Sequence, residues 1–160
     1  MTHWRRFAVG AIGALSLLGA GTVSVGADGG GDQLIAFDAM TPVGHPPTTE
    51  RGIAGGSFAW SITSATGSVD RQGDVSVTVK GLIVTVLGFN PITRFQAVVS
   101  CVTPDGVFNV ETGNFAATAG GDSTINATVD LPHPCKDPVV FVGGSPGGTF
   151  IWFAKSNGED

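Results

Sequence analysis

The sequence predicts an all-β fold, an antiparallel β-sandwich of the immunoglobulin-like kind, with a small β-barrel as the alternative. From Ser57 onward, short runs rich in valine, threonine and phenylalanine alternate with glycine, proline, aspartate and asparagine, as in strands joined by turns. No segment has a convincing helical period. Residues 124–131 alternate most clearly, because odd positions from Ile125 to Leu131 are apolar and even positions from Thr124 to Asp130 are polar. Such a strand has one buried and one solvated face.

Residues 1–27 have the features of a cleaved secretory signal peptide. Arg5 and Arg6 precede an apolar run over residues 7–27, which ends in the small residues Gly26 and Ala27. The run is also long enough for an uncleaved membrane anchor, although its glycines and its small-residue end favour cleavage. We therefore expect a secreted, extracellular protein with no membrane association after cleavage.

The charge of the chain excludes two classes of partner. The formal net charge is −5, and it becomes −7 once Arg5 and Arg6 leave with the signal peptide. Nucleic acids and anionic lipid surfaces are bound mainly through lysine and arginine. We therefore expect no nucleic acid as a partner, and no sequence pattern predicts a cofactor.

Residues 28–56 are predicted to form a flexible N-terminal arm. The segment starts with Asp28 and three consecutive glycines and later contains Pro42, Pro46 and Pro47, with few apolar residues in any regular period. Residues 57–160 then form a single β-sandwich domain. Its predicted strands are, in order, 57–63, 75–80, 82–87, 94–102, 107–111, 114–118, 123–131, 139–142 and 149–154.

A change of phase separates the second of these strands from the third. Val75, Val77 and Val79 are odd-numbered, whereas Leu82 and Val84 are even-numbered. A strand with one buried face cannot change phase, so we predict a β-bulge or a sharp bend at Gly81. The alternative is a strand buried on both faces after Gly81.

Cys101 and Cys135 are the two cysteines of the chain. Outside the cell a pair of cysteines is expected to be oxidised, so we predict a disulfide between them. It would connect the end of a strand to a loop that contains Pro134 and Pro138.

Three short segments resemble small secreted proteins of high-GC Gram-positive bacteria. These are Val99-Ser100-Cys101, the Leu-Pro-x-x-Cys loop over residues 131–135, and Trp152-Phe153-Ala154. The resemblance implies export and a β fold and carries over no catalytic residue. The composition is also similar to that of the apoproteins of chromoprotein antibiotics, secreted sandwiches that hold a small apolar ligand in a cleft, although those typically have two disulfides.

One segment matches the nucleophile elbow of hydrolases. Residues 143–147 read Gly-Gly-Ser-Pro-Gly, which would make Ser145 the nucleophile. We reject this interpretation because the next residue, Pro146, has no N–H to donate to an oxyanion. Residues 150–154 also read as a strand rather than as the required helix, so a hairpin connection is predicted.

We predict no metal site. His45 and His133 are the histidines that remain after cleavage, and even with Asp137 they do not form a close set of ligands in the sequence. Aspartates in the turns at 28–32, 70–74 and 120–122 could bind calcium, but none has the spacing of a known calcium motif. Aspartate and glycine are also ordinary turn residues.

Other candidate residues give weak signals. Asp105 and Glu111, or Asp70 and Asp74, could be the paired carboxylates of a glycoside hydrolase. Trp60 and Trp152 could form an aromatic platform, but each lies in an alternating stripe that favours a place in the core, the first stripe being Phe58, Trp60 and Ile62. Asn126 begins an Asn-Ala-Thr glycosylation pattern on a predicted exposed face.

These observations favour a secreted, non-enzymatic β-sandwich that serves as a binding or structural module for an unknown extracellular ligand or protein. The catalytic set is predicted to be empty and the oligomeric state is left open. One alternative is an extracellular hydrolase that uses the carboxylates named above. The other is a carrier of a small apolar ligand.

Overall fold

A computed structural model describes residues 32–157, and every regular element in this part of the chain is a β-strand. The strands are β1 (Gln33–Phe37), β2 (Met40–Pro42), β3 (Thr49–Glu50), β4 (Ile53–Ala54), β5 (Trp60–Ser61), β6 (Ser64–Asp70), β7 (Asp74–Lys80), β8 (Ile83–Val84), β9 (Arg94–Thr103), β10 (Gly106–Glu111), β11 (Phe115–Ala116), β12 (Ser123–Thr128), β13 (Lys136–Gly144) and β14 (Ile151–Ser156). The predicted signal peptide lies outside the described residues.

Two antiparallel sheets pack face to face and form a β-sandwich, which confirms the predicted fold class. The smaller sheet has the strand order β1-β6-β7-β12. The larger sheet has the order β10-β9-β13-β14-β2, and β11 also pairs with β9. Both sheets end in edge strands and do not close on themselves, so the barrel alternative is wrong. The pairs β3-β4 and β5-β8 form separate two-stranded ribbons.

The smaller sheet has one buried face and one solvated face. Along β7, Val75, Val77 and Val79 are buried while the residues between them are exposed or half-buried. Strand β12 continues the pattern, with Ile125 fully buried between the exposed Thr124 and Asn126. This is the alternation expected of a sheet that covers a core on one side.

The larger sheet, in contrast, is covered on both faces at its centre. Every residue of β9 from Phe95 to Cys101 is buried, whichever face its side chain points to. Strand β13 is likewise buried at each position from Val140 to Gly144. A near-continuous apolar run of this kind is typical of a strand with packing on both sides.

The second cover is supplied by residues 43–56, which the sequence had placed in a flexible arm. The backbone N–H of Val43 donates to the carbonyl of Phe153 at 2.8 Å, and that of Gly56 donates to the carbonyl of Trp152 at 2.9 Å. Between these anchors, the β3-β4 hairpin crosses the outer face of the sheet. Earlier in the same segment, β1 pairs with β6 and β2 pairs with β14. The prediction of a flexible arm is therefore wrong for residues 32–56, because these strands contribute to both sheets.

Arg51 fixes the hairpin in this position. Its Nη2 donates to the backbone carbonyl of Asp137 at 2.9 Å and to Oδ2 of Asp137 at 2.7 Å, while its own carbonyl accepts a hydrogen bond from Asn109 at 2.9 Å. The hairpin therefore spans from β10 to β13 across β9. A second ion pair joins Glu50 to Lys155 on β14. Arg51 and Asp137 both have positive φ angles, of 52° and 47°.

Aromatic residues fill the centre of the sandwich. Trp60 stacks on Phe153 with ring centroids 4.0 Å apart, and Phe95 meets Phe153 edge to face at 5.9 Å. Trp60 and Trp152 are 6% and 2% exposed, so the core interpretation of both tryptophans is confirmed. Phe58 is 56% exposed, however, and its assignment to the same buried stripe is wrong.

The backbone turns sharply at Gly81, as the change of phase predicts. Gly81 has a φ of +64°, and a side chain at this position would collide with Thr63. Strand β7 ends at Lys80, and the chain then forms the two residues of β8 before the turn at 85–88. Leu87 is 46% exposed, so the alternative of a strand buried on both faces is wrong.

The predicted disulfide between Cys101 and Cys135 is present. Cys101 is fully buried on β9, and Cys135 directly precedes β13, the neighbouring strand in the same sheet. The bond therefore joins adjacent strands and encloses β10, β11 and β12. Because β12 belongs to the other sheet, the closed loop contains strands of both layers.

Candidate functional site

The outer face of the smaller sheet carries rows of small polar side chains. Thr66, Thr78 and Thr124 are register partners across β6, β7 and β12. Ser68, Ser76 and Asn126 form the next row along the same strands. Because side chains of directly opposite residues share one face of a sheet, each row presents hydroxyl and amide groups side by side to solvent.

One end of this face is an open groove with a volume of about 700 Å³. It lies over β1, β6, β7 and β12, between the second polar row and the turn that joins β6 to β7. Its lining residues are Asp32, Gln33, Ser68, Val69, Asp70, Asp74, Val75, Ser76, Asn126, Ala127 and Thr128. The volume lies within the range of about 300–1,000 Å³ that is typical of small-molecule sites.

Hydrogen bonds within the groove hold its acidic groups in place. The backbone N–H of Asp74 donates to Oδ1 of Asp70 at 2.9 Å, which closes the β6-β7 turn. The hydroxyl of Thr128 donates to Oδ1 of Asp74 at 2.6 Å. Each aspartate therefore uses its Oδ1 within the protein, while its Oδ2 makes no hydrogen bond to another side chain within residues 32–157.

Asn126 supplies hydrogen-bond donors to the same groove. Its Oδ1 accepts a hydrogen bond from the hydroxyl of Ser76 at 3.0 Å. This contact orients the side-chain amide, and its nitrogen makes no hydrogen bond to any residue within 32–157. The two N–H groups of Asn126 are thus donors in a groove that the carboxylates of Asp70 and Asp74 also line.

The groove is negatively charged. Asp32, Asp70 and Asp74 line it, whereas no lysine, arginine or histidine does. Within residues 32–157, no group of three or more histidine, cysteine, aspartate or glutamate side chains is arranged to hold a metal ion. Of the calcium candidates, Asp122 accepts a hydrogen bond from the backbone N–H of Gly81 at 2.9 Å, which accounts for its place in a turn.

The other carboxylate pair is not brought together. Asp105 directly precedes β10 and Glu111 ends it, so the whole strand separates them. At about 3.4 Å per residue, that separation is on the order of 20 Å. Glycosidases require their two carboxyl groups within about 10 Å of each other. Asp105 and Glu111 are therefore not a catalytic pair.

Ser145 has a structural environment that differs from a nucleophile elbow. Its hydroxyl donates to Oε1 of Gln96 at 2.7 Å, and its carbonyl accepts the N–H of Gly148 at 3.1 Å in the turn between β13 and β14. The segment that follows is strand β14. This confirms the hairpin connection that the sequence predicts. His45 and His133 are both exposed, and Asp137 forms the ion pair with Arg51.

A smaller cleft of about 280 Å³ lies between the β3-β4 hairpin and the larger sheet. Ile53, Val98 and Phe150 give it apolar walls, and Asn109 and Glu111 stand at its polar side. Its volume is just below the usual range for small-molecule sites. The cleft is therefore a weaker candidate for an apolar ligand than the groove is for a polar one.

Sequence reasoning found only part of the groove. The alternation over 124–131 correctly places Asn126 and Thr128 on an exposed face, and the sequence offers Asp70 and Asp74 as a pair of carboxylates. Ser68 was missed because β6 was not predicted. The available signal was that Ala65 and Val69 are four residues apart and therefore on the same face of a strand, and both are buried in the structure. The glycine, serine and threonine residues around them obscure this signal.

The chain matches no family model. No curated protein and no solved structure matches it either. Among the described residues, none belongs to a helix long and apolar enough to span a membrane.

Proposed function

We propose that this protein is a secreted, non-enzymatic binding module that holds a hydroxyl-rich ligand, an extracellular glycan, in the groove of the smaller sheet. The observation that supports the proposal is the juxtaposition of oriented donors and acceptors in a concave surface. The amide donors of Asn126 and the carboxylate acceptors of Asp70 and Asp74 line the same groove, and internal hydrogen bonds orient all three side chains. Sugar hydroxyls both donate and accept, so such a mixed surface suits them.

The chemistry of the groove favours binding over catalysis. Both aspartates of its β6-β7 turn accept internal hydrogen bonds, so one oxygen of each carboxylate is engaged within the protein. The groove is also open to solvent, which suits a polymer chain that lies across it. These features support a module that recognises a polymer and leaves it intact.

Secretion is part of the proposal. The signal-like sequence of residues 1–27 and the disulfide between Cys101 and Cys135 both suit an oxidising compartment. Mass spectrometry of the protein from the culture medium of its host should give a chain that begins at Asp28 and contains two hydrogens fewer than the reduced form. A mass that includes residues 1–27 would contradict it.

Glycan binding can be tested by affinity electrophoresis in gels that contain soluble β-glucan, xylan or mannan, together with pull-down on insoluble cellulose and chitin. We expect at least one of these polymers to retard or retain the protein. Asn126→Ala should weaken that binding about tenfold, the equivalent of about 1.4 kcal/mol, since it removes two donors from the groove.

Thr124→Ala is the matched control. Thr124 is exposed on the same face of the same strand, two residues from Asn126, and lies outside the groove. The control should bind as the wild type does. Equal losses in both variants, or no retention by any of the polymers, would contradict the proposal.

The hydrolase alternative keeps one specific support, because Asp70 and Asp74 do lie together in the groove. It predicts that incubation with the bound polymer releases new reducing ends, and that Asp74→Asn abolishes this release. The binding module predicts no release by the wild type under the same conditions.

A further inference from the structure

The edges of the two sheets are protected to different degrees. Strand β1 carries a register shift between Gln33 and Ile35, and β2 has three residues, the last being Pro42. Strand β12 presents threonine and asparagine to solvent and is approached at its start by β11, through the hydroxyl of Ser123 and the carbonyl of Ala116. Irregular, short, proline-containing or polar edges resist pairing with another strand.

Strand β10 is neither short nor irregular and contains no proline, and its polar residues Asn109 and Glu111 alternate with the apolar Phe108 and Val110. It has six residues, pairs with β9 in unbroken register, and ends the larger sheet. Val107 and Phe108 are each 47% exposed, and no residue of β10 is buried. Such a regular and apolar edge is a ready template for another strand.

The phase of the hydrogen bonds shows which backbone groups of β10 are available. The N–H of Thr112 donates to the carbonyl of Ala97 at 2.9 Å, and these residues continue the register of the β9-β10 pair. Hydrogen-bonded and non-hydrogen-bonded pairs alternate along an antiparallel ladder. The backbone N–H and C=O groups of Val110, Phe108 and Gly106 therefore also point toward β9. The N–H and C=O groups of Val107, Asn109 and Glu111 therefore point away from the sheet.

We propose that β10 pairs with β10 of a second copy of this chain, antiparallel and related by a two-fold axis that passes between the two Asn109 residues. In this register Val107 faces the partner's Glu111, and both strands use all three of their outward N–H groups. Phe108 faces the partner's Val110 on the side of the sheet that continues the core. The larger sheets of the two copies become one continuous sheet.

The residue pattern of β10 supports a copy of the same strand as the occupant, because the two-fold register places Phe108 opposite the apolar Val110. The acidic groups of this segment, Asp105 and Glu111, stand at opposite ends of β10. In the two-fold register each lies opposite an uncharged residue, Gly113 or Val107, so no like charges meet. Pairing through one strand buries less area than the roughly 1,600 Å² of a standard interface, so the dimer should form at micromolar to millimolar concentration.

Sedimentation velocity of the wild-type protein over a series of concentrations tests the proposal. We expect the mass to rise from one chain to two. Phe108→Lys should shift the dissociation constant upward by at least tenfold, because it replaces an apolar contact with a charge that cannot be buried there. Phe58→Lys is the matched control, since Phe58 is an exposed phenylalanine away from β10, and this variant should dimerise as the wild type does.

Amide hydrogen exchange measured by NMR gives a second readout that needs no variant. Protection of Val107, Asn109 and Glu111 should rise with concentration, while Phe108 and Val110 stay protected throughout. A protein that remains monomeric at millimolar concentration would overturn the proposal, as would a dimer that Phe108→Lys leaves intact. Protection of these amides by an added extended peptide, in a chain that stays monomeric, would assign the edge to strand addition by a different partner.

Discussion

The two sheets of this sandwich solve the same packing problem in different ways. The smaller sheet leaves its outer face to water and fills it with serine, threonine, asparagine and aspartate. The larger sheet buries its central strands on both faces, and the N-terminal segment supplies the second cover. The difference separates the roles of the layers, because the open sheet carries the candidate site while the covered sheet supplies most of the buried aromatic core.

The larger sheet is covered by a segment with few apolar residues. Val43 and Ile53 are the buried residues of the covering segment between β2 and β5 that are large and apolar. Its position depends instead on backbone hydrogen bonds to β14 and on the bridge from Arg51 to Asp137. A cover of this kind can be built from glycine, proline and threonine, provided that its ends are fixed.

Removing the cover should have the largest effect. A chain that begins at Ser57 lacks β1, β2 and the hairpin, so it should expose the outer face of the larger sheet and fail to fold. Circular dichroism should show no cooperative melting, whereas a chain that begins at Asp28 should melt in one transition. Cooperative melting of the shorter chain would mean that residues 32–56 are dispensable after all.

Opening the disulfide should have the next largest effect. In the chain-entropy model, a closed loop with a sequence separation of 34 residues contributes roughly 3 to 4 kcal/mol to the free energy of unfolding. The double variant Cys101→Ala and Cys135→Ala should lose about that amount in urea denaturation, without leaving a buried hydroxyl. An unchanged denaturation midpoint, with a wild-type protein that labels with a thiol reagent, would show that the bond does not form.

Single substitutions on the outer faces of the two sheets should have the smallest effects on the free energy of unfolding. They should also differ clearly between the covered face and the solvated face. Val98→Thr places a hydroxyl under the hairpin, where Val98 is 1% exposed, and should lower the free energy of unfolding by about 1–3 kcal/mol. Thr124→Val, on the solvated face, should change it by less than about 0.5 kcal/mol. Equal effects would mean that the outer face of the larger sheet is as wet as that of the smaller one.

The fold class, most strands of the domain, the bend at Gly81 and the disulfide could be predicted from the sequence. Each rests on a local rule, whether alternation, phase or the pairing of two cysteines. The cover could not be predicted, because its role depends on contacts such as that of Arg51 with Asp137, which are distant in sequence. Strand β6 also depends on a contact with a distant residue. The ring of Phe37, on β1, packs against Gly67 in the middle of β6, where a side chain would collide with it. A glycine in mid-strand lowers the strand signal of the local sequence.

The candidate site could be predicted only in part, because local patterns identify exposed residues but do not give the order of the strands. Alternation identifies which residues of one strand face water, so Asn126 and Thr128 could be assigned to an exposed face. It does not identify which strands lie side by side, and the groove combines residues of β1, β6, β7 and β12. The order β1-β6-β7-β12 brings strands together that the sequence separates widely.

The closed loop between Cys101 and Cys135 also determines how the chain would respond to a pulling force. Strands of both sheets lie inside the loop, so tension applied to the two ends of the protein can separate the layers but cannot extend the enclosed residues. At about 3.4 Å per extended residue, the bond withholds roughly 110 Å of contour length. A single molecule stretched from its ends should lengthen by that much more after reduction, which makes the disulfide a limit on mechanical extension as well as a source of stability.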